Sequence, residues 1–392
     1  MSIDNKNEHA TSTPTSVRLG MVGGGQGAFI GGVHRIASRI DGNYQLVAGA
    51  LSSDAERSRA SGAELGLAPD RCYADYNEMA QAEAARADGI EAVAIVTPNH
   101  MHFPVAKAFL EAGIHVICDK PLTSTLKDAE ALTEIAGNAG RLFVLTHNYS
   151  GYPMIRQARE MVQSGTLGAI RLVQMEYVQD WLTEDLESSG QKQASWRTDP
   201  ARSGAGGCIG DIGTHAYQLG GFVSGLKTDT VLADLTSFVP GRRVDDNVSV
   251  LLRFEGGAKG MLWASQVAPG NENGLSLRVY GDKGGLEWHQ EQPNHLWYTP
   301  FGEPKRLITR GGSGATPAAE RVTRVPAGHP EGYLEGFATI YREAAEAIRA
   351  ARTGASVSKD VQFPGIGDGL SGMRFIDACI RSSNEGGTWT KV

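Results

Sequence analysis

The sequence of 392 residues predicts an α/β domain with a doubly wound parallel sheet, followed by an α+β domain with a large, mostly antiparallel open sheet. Two patterns support this prediction. Up to about residue 150, short apolar runs alternate with helical patterns, which is typical of βαβ units. Beyond that point, long runs alternate apolar with polar residues, which is typical of antiparallel strands with one covered face. The chain is also too long for one ordinary hydrophobic core, so two domains are expected.

The first part contains five apolar runs that lack strict alternation, as expected for strands buried on both faces of a parallel sheet. These runs are residues 17–22, 45–51, 92–97, 115–120 and 141–147. Helical patterns lie between them, so residues 17–149 are predicted to form the α/β domain. The polar segment 1–16 has no apolar core and is predicted to be a disordered lead-in rather than a signal peptide.

Residues 150–392 are predicted to form the second domain, which opens with a helical pattern that has a glycine stop. Alternating runs predict antiparallel strands within residues 170–178, 231–239, 247–267 and 274–288. Further predicted elements are a hairpin turn at Gly256-Gly257, a long Gly- and Pro-rich loop at 301–330, and closing helices at 331–351 and 365–383. We expect these C-terminal helices to pack back on the first domain.

The composition argues against several classes of protein. Hydrophobic residues make up 41% and charged residues 21%, as in an ordinary globular protein. The net charge of −7 gives no attraction to nucleic acid or anionic lipid, and no apolar stretch approaches membrane-spanning length. Cys72, Cys118, Cys208 and Cys379 have no ligand or disulfide spacing. We therefore expect no metal site and a reducing, cytoplasmic location.

A glycine-rich loop, VGGGQGA at residues 22–28, follows the first apolar run and precedes a helical pattern. It contains the spacing GxGxxA in Gly23, Gly25 and Ala28. The first position allows a tight turn, the second lets the backbone approach a pyrophosphate, and the third permits close packing of helix on strand. The helix N-terminus then faces the phosphates. The loop predicts a Rossmann dinucleotide-binding domain, and the alternative is a glycine-rich loop without a ligand.

The end of the second apolar run bears on the choice between NAD and NADP. An acidic residue there would bind the ribose 2′-hydroxyl, but this run ends in Leu51-Ser52-Ser53. Ser52 and Ser53 can donate hydrogen bonds to a 2′-phosphate, and Arg57 lies about one turn into the next helix. These features slightly favour NADP over NAD. The alternative is that Arg57 is an ordinary solvated helix residue.

An acid and an imidazole, Asp211 and His215, stand four residues apart in GGCIGDIGTHAY, residues 206–217. Four residues make about one helical turn, so both side chains share one face of a helix. One interpretation is a simple helix start, with the carboxylate near the positive end of the helix dipole. The other is an acid–base pair, whose neighbouring glycines let the helix start pass close to a cofactor.

Five short motifs occur in order and together resemble the Gfo/Idh/MocA family of oxidoreductases, over residues 17 to about 385. They are the glycine loop, TPNHMH at 97–102, CDKP at 118–121, WR at 196–197 and GGCIGDIGTH at 206–215. Three features depart from the pattern of that family: extra glycines before Phe29-Ile30, Asp119 in place of the usual Glu of EKP, and Ser52 where many NAD-using members carry Asp.

The resemblance implies that the TPN segment lies beside the nicotinamide ribose and that Lys120, Asp211 and His215 are catalytic. Asn148, Tyr149 and Tyr152 follow the fifth apolar run, and Trp181 and His329 lie in predicted loops. We add these five residues as candidates to line the cleft. The residues expected to contact the cofactor are Gly23, Gly25, Gln26, Gly27, Ala28, Phe29, Ile30, Ser52, Ser53, Arg57, Thr97, Pro98, Asn99, His102, Asp119, Lys120, Asn148, Trp196 and Arg197. The residues expected to contact the substrate are Lys120, Tyr149, Tyr152, Trp181, Arg197, Asp211, His215 and His329.

Oxidation of a secondary alcohol needs a base for the hydroxyl proton and an acceptor for the hydride. The His215 imidazole suits the base role, and the Lys120 ammonium can stabilise the developing alkoxide. With the resemblance, this predicts an NAD(P)-dependent dehydrogenase or reductase that acts on a sugar, a sugar derivative or a cyclitol, as a homodimer or homotetramer through the second sheet. The alternatives are an NAD-dependent glycosidase of the same family and a non-catalytic protein that binds the nicotinamide cofactor.

Overall fold

The computed structural model describes residues 16–392, so the predicted lead-in lies outside the described residues except for Ser16. The first part folds into a five-stranded parallel sheet flanked by helices. Its strands are β1 (Val17–Gly23), β2 (Tyr44–Ala50), β3 (Ala92–Val96), β4 (His115–Cys118) and β5 (Phe143–Leu145). Its helices are α1 (Phe29–Ile40), α2 (Ala55–Glu64), α3 (Tyr76–Ala85), α4 (His102–Glu111) and α5 (Leu126–Ala139). The predicted parallel sheet is confirmed, whereas the sequence pattern did not predict α3.

The strand order β2-β1-β3-β4-β5 places β1 next to both β2 and β3. After β1 the chain forms β2 on one side of β1 and later forms β3 on its other side, so the direction in which strands are added reverses at β1. Open α/β sheets bind ligands at such a switch point, at the carboxyl ends of the strands. The glycine loop after β1 lies at this position.

The second part is built on a nine-stranded sheet, in the order β13-β12-β11-β10-β6-β9-β8-β7-β14. Its strands are β6 (Ile170–Val178), β7 (Thr228–Thr236), β8 (Asn247–Phe254), β9 (Lys259–Ser265), β10 (Gly274–Gly281), β11 (Gly284–His289), β12 (His295–Pro300), β13 (Arg306–Thr309) and β14 (Thr390–Lys391). Its helices are α6 (Pro153–Gln163), α7 (Lys192–Arg197), α8 (Pro200–Ser203), α9 (Thr214–Ser224), α10 (Pro317–Val322), α11 (Tyr333–Thr353) and α12 (Ile366–Asn384). The pairing is antiparallel except between β6 and β9, which confirms the predicted mostly antiparallel sheet.

Helix α9 lies on the covered face of this sheet, against β6. Val173 and Met175 of β6 point inward and are 1% exposed each. A Cβ atom on Gly220 of α9 would lie only 2.3 Å from the Met175 sulfur, so glycine lets the helix approach the strand closely. This contact brings the N-terminus of α9, which carries His215, down onto the sheet.

Helix α11 packs with α1 on one face of the parallel sheet. Phe337, Ile340 and Tyr341 of α11 are buried in the same apolar cluster as Leu19 of β1. The Tyr44 hydroxyl also donates a hydrogen bond to the Tyr341 carbonyl, at 2.9 Å. A second apolar cluster contains residues of both sheets, such as Val22 of β1 and Val173 of β6, so the two sheets share one core.

The predicted loop over residues 301–330 is wrong in part, because β13 and α10 lie within it. Both elements are short, and the start of α10 is held by α6, since Gln157 accepts from the Thr316 N–H at 2.7 Å and Glu160 accepts from the Ala318 N–H at 3.0 Å. Arg310, which is 2% exposed, donates to the carbonyls of Val325 and Pro326 and pairs with Glu331 at 3.0 Å. The Gly- and Pro-rich composition of this segment therefore predicted a loop, although the contacts of buried Arg310 hold the segment in a defined conformation. Within residues 16–392, no helix is both long and apolar enough to cross a membrane.

Candidate active site

The glycine loop is pressed between the ends of β2 and β3. Gly23 has a φ of 79°, and a Cβ atom there would lie 2.8 Å from the Val96 carbonyl oxygen. A Cβ atom on Gly25 would lie 2.7 Å from both the Leu51 carbonyl oxygen and the Ser61 hydroxyl. Glycine is therefore required at both positions, for conformation at the first and for space at both.

The first turn of α1 is open to an anion. Its N-cap residue, Ala28, makes no side-chain capping hydrogen bond, and the turn holds no acidic residue. Gly27 has a φ of 76° and borders open space, whereas Gln26 turns away and donates to Glu64 at 3.0 Å. Phe29 is 72% exposed, and Ile30 is half-buried. Free backbone N–H groups at the positive end of a helix suit a pyrophosphate, so these residues fit a dinucleotide.

The close packing of helix on loop occurs at Gly31, and not at Ala28 as the GxGxxA spacing predicts. A Cβ atom on Gly31 would lie 2.4 Å from the Gly24 Cα atom. Ala28 instead caps the helix and is half-buried. The third small residue therefore stands three positions later than predicted, since the extra residues lengthen the loop before α1 begins.

The end of β2 presents hydroxyl groups and a guanidinium. The Ser52 Oγ atom accepts a hydrogen bond from the Asp54 backbone N–H at 3.2 Å, and Ser53 is exposed. Asp54 caps α2 by accepting from the Arg57 backbone N–H at 2.8 Å. The Arg57 guanidinium is exposed and has no partner in residues 16–392. A ribose 2′-substituent at this strand end would meet Ser52, Ser53 and the exposed side chain of Arg57.

The segments after β3 and β4 are held together by His102. This buried imidazole has Nε2 at 3.0 Å from the Thr97 carbonyl and Nδ1 at 2.7 Å from the Pro121 carbonyl. Both ring nitrogens therefore face carbonyl oxygens of the protein, and the neutral ring, whose pKa is lowered by burial, donates to one of the two. This placement corrects the expectation that His102 contacts the cofactor. His102 fixes the loop that carries Lys120, while Thr97 and Pro98 stand half-buried at the end of β3.

Two more candidates for cofactor contact also serve the structure of this edge. The Asn99 side-chain amide donates to the Ser203 carbonyl at 2.9 Å. The Asp119 carboxylate accepts from the Lys120 backbone N–H at 2.9 Å and from the Thr146 hydroxyl at 3.2 Å. The shorter Asp119 thus stabilises the ends of β4 and β5.

Lys120 and Asp211 form an ion pair across the cleft between the two sheets. The Lys120 ammonium donates to Asp211 Oδ1 at 2.9 Å and to the Asp211 carbonyl at 2.5 Å. The other carboxylate oxygen, Oδ2, accepts from Gln266 at 2.9 Å and from Arg197 at 3.2 Å. Burial alone would raise the pKa of Asp211, but the charges of Lys120 and Arg197 outweigh burial and hold the pKa well below its usual range. Asp211 therefore stays ionised and anchors the ammonium.

Asp245 sets the position of the segment that carries Asp211 and His215. Its carboxylate accepts from the backbone N–H groups of Gly207 and Ile209, both at 2.7 Å. A Cβ atom on Gly207 would lie 2.3 Å from the Asp245 carbonyl oxygen. The expectation that these glycines serve an approach to the cofactor is therefore corrected for Gly207, whose missing side chain makes room for Asp245.

His215 stands at the start of α9, one turn after Asp211, which lies in a π-helical turn at Ile209–Gly213. Rings surround its imidazole, with centroids at 5.0 Å for Tyr149, 5.4 Å for His147 and 6.0 Å for Tyr177. Nδ1 is buried without a partner in the described part of the chain, so Nε2 is the ring nitrogen with access to the cleft. Burial lowers the pKa of His215 well below its usual value, and Lys120 lowers it further, against a smaller opposite effect of Asp211. The imidazole is therefore neutral at neutral pH and able to accept a proton.

Comparison with known proteins decides the family. Residues 17–158 match the oxidoreductase family with an NAD-binding Rossmann fold, and residues 155–287 match the GFO/IDH/MocA C-terminal domain. A crystal structure of an oxidoreductase from Sinorhizobium meliloti is 62% identical, with a TM-score of 0.89, and the match covers 96% of this chain and 100% of that chain. The chain belongs to the Gfo/Idh/MocA family of oxidoreductases. The resemblance inferred from the sequence is thereby confirmed.

Two further members of the family carry names that specify ligands. An inositol dehydrogenase homolog from Azotobacter vinelandii, solved with NADH and myo-inositol, is 37% identical with a TM-score of 0.90, over 96% of this chain and 98% of that chain. Levoglucosan dehydrogenase from Pseudarthrobacter phenanthrenivorans is 27% identical, over 96% of this chain and 98% of its own length. This chain is therefore an oxidoreductase that shares its family with dehydrogenases.

The remaining predicted residues differ in how close they come to the Lys120–Asp211–His215 cluster. Tyr149 packs on His215 and directs its hydroxyl to Tyr177, at 2.7 Å. Tyr152 is buried behind Tyr149, and Trp181 donates to Gln179 at 3.1 Å.

Arg197 stacks on Trp196 with its guanidinium 4.3 Å from the ring centroid, and Asn148 is buried with its side-chain nitrogen unpaired in the described chain. His329 is exposed, and its carbonyl rather than its ring is bound, by Arg310.

Sequence reasoning missed four residues of this region: His147, Gln266, Asp245 and Tyr333. His147 contacts His215, Gln266 holds Asp211, and Asp245 anchors the segment before α9. Tyr333 begins α11, with its ring 6.5 Å from that of Tyr149. Only His147 had a usable signal, because it is the last residue of the fifth predicted strand, directly before Asn148 and Tyr149.

Proposed function

We propose that the chain transfers a hydride between a secondary hydroxyl carbon of a cyclitol, sugar or sugar derivative and the nicotinamide of NAD(P). One observation carries the proposal. Lys120, Asp211 and His215 converge at the carboxyl edge of the parallel sheet, on the same edge as a glycine loop that fits a dinucleotide. A hydride-transfer site requires a proton acceptor, a stabiliser of alkoxide charge and a place for the nicotinamide on one side of a cleft.

Each of these residues has a distinct part in the proposed reaction. Bound nicotinamide supplies the hydride acceptor. The Nε2 atom of His215 takes the proton of the substrate hydroxyl, which its neutral ring can do at neutral pH. Lys120 uses two of its three N–H donors on Asp211, and the third donates to the reacting oxygen and stabilises its negative charge. Asp211 keeps the ammonium in place and is itself held by Arg197 and Gln266.

A screen of cyclitols, sugars and sugar derivatives with NAD and with NADP tests this function, with nicotinamide absorbance as the readout. We expect net reduction of the cofactor with at least one polyol. Myo-inositol is the first compound to test, because it is present in the structure of the Azotobacter relative. A glycosidase would instead release sugar without a net absorbance change, and a non-catalytic protein would bind the cofactor without either effect. Both of these outcomes would contradict the proposal.

The finer proposal on the cofactor is that NAD and NADP are both accepted, with a slight preference for NADP. Its support is the end of β2, where Ser52, Ser53 and Arg57 offer donors and no carboxylate stands at the strand end. The Azotobacter relative is solved with NADH, which shows that this family also uses the cofactor without a 2′-phosphate.

Ser52→Asp is expected to shift the preference toward NAD. A carboxylate at the end of β2 accepts a hydrogen bond from a ribose 2′-hydroxyl and repels a 2′-phosphate. The measurement is the ratio of kcat/KM for NADP to kcat/KM for NAD, with Ser53→Asp as the matched neighbour. An unchanged ratio in both variants would mean that the 2′-position is read elsewhere.

We also propose that the chain forms a homodimer or homotetramer through the open face of the nine-stranded sheet. Large apolar side chains cluster on that face. They are Leu172 (51% exposed), Leu251 (46%), Met261 (49%), Trp263 (41%) and Tyr280 (38%). The register places Leu251 opposite Met261 and Tyr280 opposite Leu172, so they form one patch on adjacent strands. A contiguous apolar patch of this kind is typical of a protein interface.

Met261→Glu is expected to shift the protein toward the monomer, because burying a carboxylate in an apolar interface is unfavourable. Sedimentation velocity at several protein concentrations measures the change. Val357→Glu is the control, because Val357 is similarly exposed (44%) but lies in the segment between α11 and α12. A wild-type chain that sediments as a monomer, or a Met261→Glu variant with unchanged mass, would contradict the proposed interface.

A further inference from the structure

A second imidazole, that of His147, lies next to His215 in the cleft. His147 follows β5, and the residue before it pairs with the end of β4, since the Thr146 N–H donates to the Cys118 carbonyl at 2.9 Å. This pairing sets His147 beside the loop that carries Lys120. The ring of His147 meets the ring of His215 edge-on, with centroids 5.4 Å apart and planes at 84°.

The imidazole of His147 makes no hydrogen bond that would hold the fold together. The residue is only 1% exposed, yet neither ring nitrogen has a partner among residues 16–392. Nδ1 is fully buried, which leaves Nε2 as the nitrogen that reaches the cleft. The backbone carbonyl of the same residue, in contrast, accepts from Ser150 twice, at 3.2 Å and 2.8 Å. Buried polar side chains in native proteins are nearly always hydrogen-bonded, so a buried imidazole with neither nitrogen paired, beside a reactive cluster, points to a ligand at the nitrogen that reaches the cleft, Nε2.

The chemistry of His147 suits a hydroxyl group better than a charged one. Burial lowers its pKa to about 3, and the charge of Lys120 contributes to that decrease. The neutral ring has one nitrogen that donates and one that accepts, as a hydroxyl does. His147 therefore does not duplicate Lys120, and the proposed hydride transfer leaves it without a role.

We propose that His147 is a substrate-contacting residue, whose Nε2 binds a second hydroxyl of the polyol while His215 takes the proton of the first. This inference rests on the proposed function. The ring centroids lie 5.4 Å apart, so both imidazoles can contact the same polyol molecule. The site thus selects cyclitols and sugars over alcohols that carry a single hydroxyl.

The test combines a change in the enzyme with a change in the substrate. Steady-state kinetics are measured for the wild-type chain, His147→Phe and His147→Gln, on the most active polyol of the screen and on its monodeoxy analogues. Phenylalanine keeps a ring against His215 without nitrogens, whereas glutamine keeps an acceptor and a donor. For the wild type, removal of the second hydroxyl should lower kcat/KM about 10- to 100-fold, since a lost substrate hydroxyl leaves its buried partner unpaired.

In His147→Phe, kcat/KM for the full polyol should fall by the same factor, and the deoxy analogue should then react nearly as well as the polyol. His147→Gln should retain part of the discrimination between the two substrates. If His147→Phe lowers kcat/KM equally for the polyol and for every deoxy analogue, His147 only supports His215 and the inference is wrong. It is equally wrong if discrimination in His147→Phe matches that of the wild type.

Binding of NADH, followed by its fluorescence, checks that the variants remain folded, because His147 does not contact the glycine loop in the described structure. If His147→Phe fails to bind NADH, His147→Leu, which also lacks ring nitrogens, takes its place with the same expected and contradicting outcomes. Failure of the wild-type chain to oxidise any polyol overturns the proposed function and this inference together. If the wild type oxidises a polyol but His147→Phe leaves the discrimination between the polyol and its deoxy analogues unchanged, only this inference is overturned.

Discussion

Lys120→Ala is expected to lower kcat about 10³-fold on the substrate that the wild type oxidises, which is the upper range for loss of one oxyanion-stabilising donor. The ammonium acts on the developing alkoxide, and it is the cation closest to Asp211. Binding of NADH should remain nearly unchanged, because the phosphates are held by the first turn of α1 rather than by this side chain. The fold should also persist, since Asp211 keeps Arg197 and Gln266 as partners.

The measurement is kcat at saturating substrate, together with a fluorescence titration of NADH. Lys127→Ala is the matched control, because Lys127 is an exposed lysine at the start of α5. Wild-type turnover in Lys120→Ala would remove the lysine from the proposed chemistry. A parallel loss of turnover and NADH binding would show that the residue serves the cofactor instead.

His215→Ala is expected to lower kcat by about 10²- to 10⁴-fold, the range for loss of a general base, and to remove the acid limb of the pH–rate profile. A base must be unprotonated to act, so the wild-type rate falls when His215 gains a proton. A histidine with an ordinary pKa near 6.5 would place this fall at roughly pH 6 to 7. Because burial and Lys120 lower the pKa of His215, the wild-type rate should instead stay level through neutral pH and fall only in more acidic solution.

The profile of kcat/KM against pH, measured for the wild type, His215→Ala and His289→Ala, decides this point. His289 is a control because its imidazole is partly exposed on β11 and is paired with Glu287. If His215→Ala retains the acid limb of the wild type, the proton acceptor is another group. If the wild-type limb lies at neutral pH, the imidazole is less desolvated than the structure indicates.

Most of the fold was predictable from the sequence, because its main elements have strong local patterns. The five apolar runs became β1 to β5, and the run at 170–178 became β6 with the same bounds. The elements that were missed, such as β13 and α10, have short patterns and depend on side chains such as Arg310. The role expected for Ala28 moved to Gly31, because spacing in a motif cannot show where a lengthened loop meets the helix.

The site was predictable only where the motifs name its residues. Lys120 and Asp211 are 91 positions apart in sequence, and only the family resemblance placed them in one site. In the structure the Lys120 Nζ atom lies 2.9 Å from Asp211 Oδ1. Gln266 was not predictable, because it directly follows β9 and reaches Asp211 in a turn 55 positions earlier, a contact that no local pattern encodes. Asp245 preceded a strand and had no signal that its carboxylate would cap the segment before α9.

The central claim is that hydrogen passes from a substrate carbon directly to the nicotinamide while His215 takes the hydroxyl proton. Transfer of deuterium tests it most directly. The wild-type chain is incubated with the active polyol deuterated at its hydroxyl-bearing carbons and with oxidised cofactor, and the reduced cofactor is examined by mass spectrometry. We expect one deuterium in each molecule of reduced cofactor and an equal amount of ketone. Reduced cofactor without deuterium, or deuterium released to water while the cofactor stays oxidised, would contradict it.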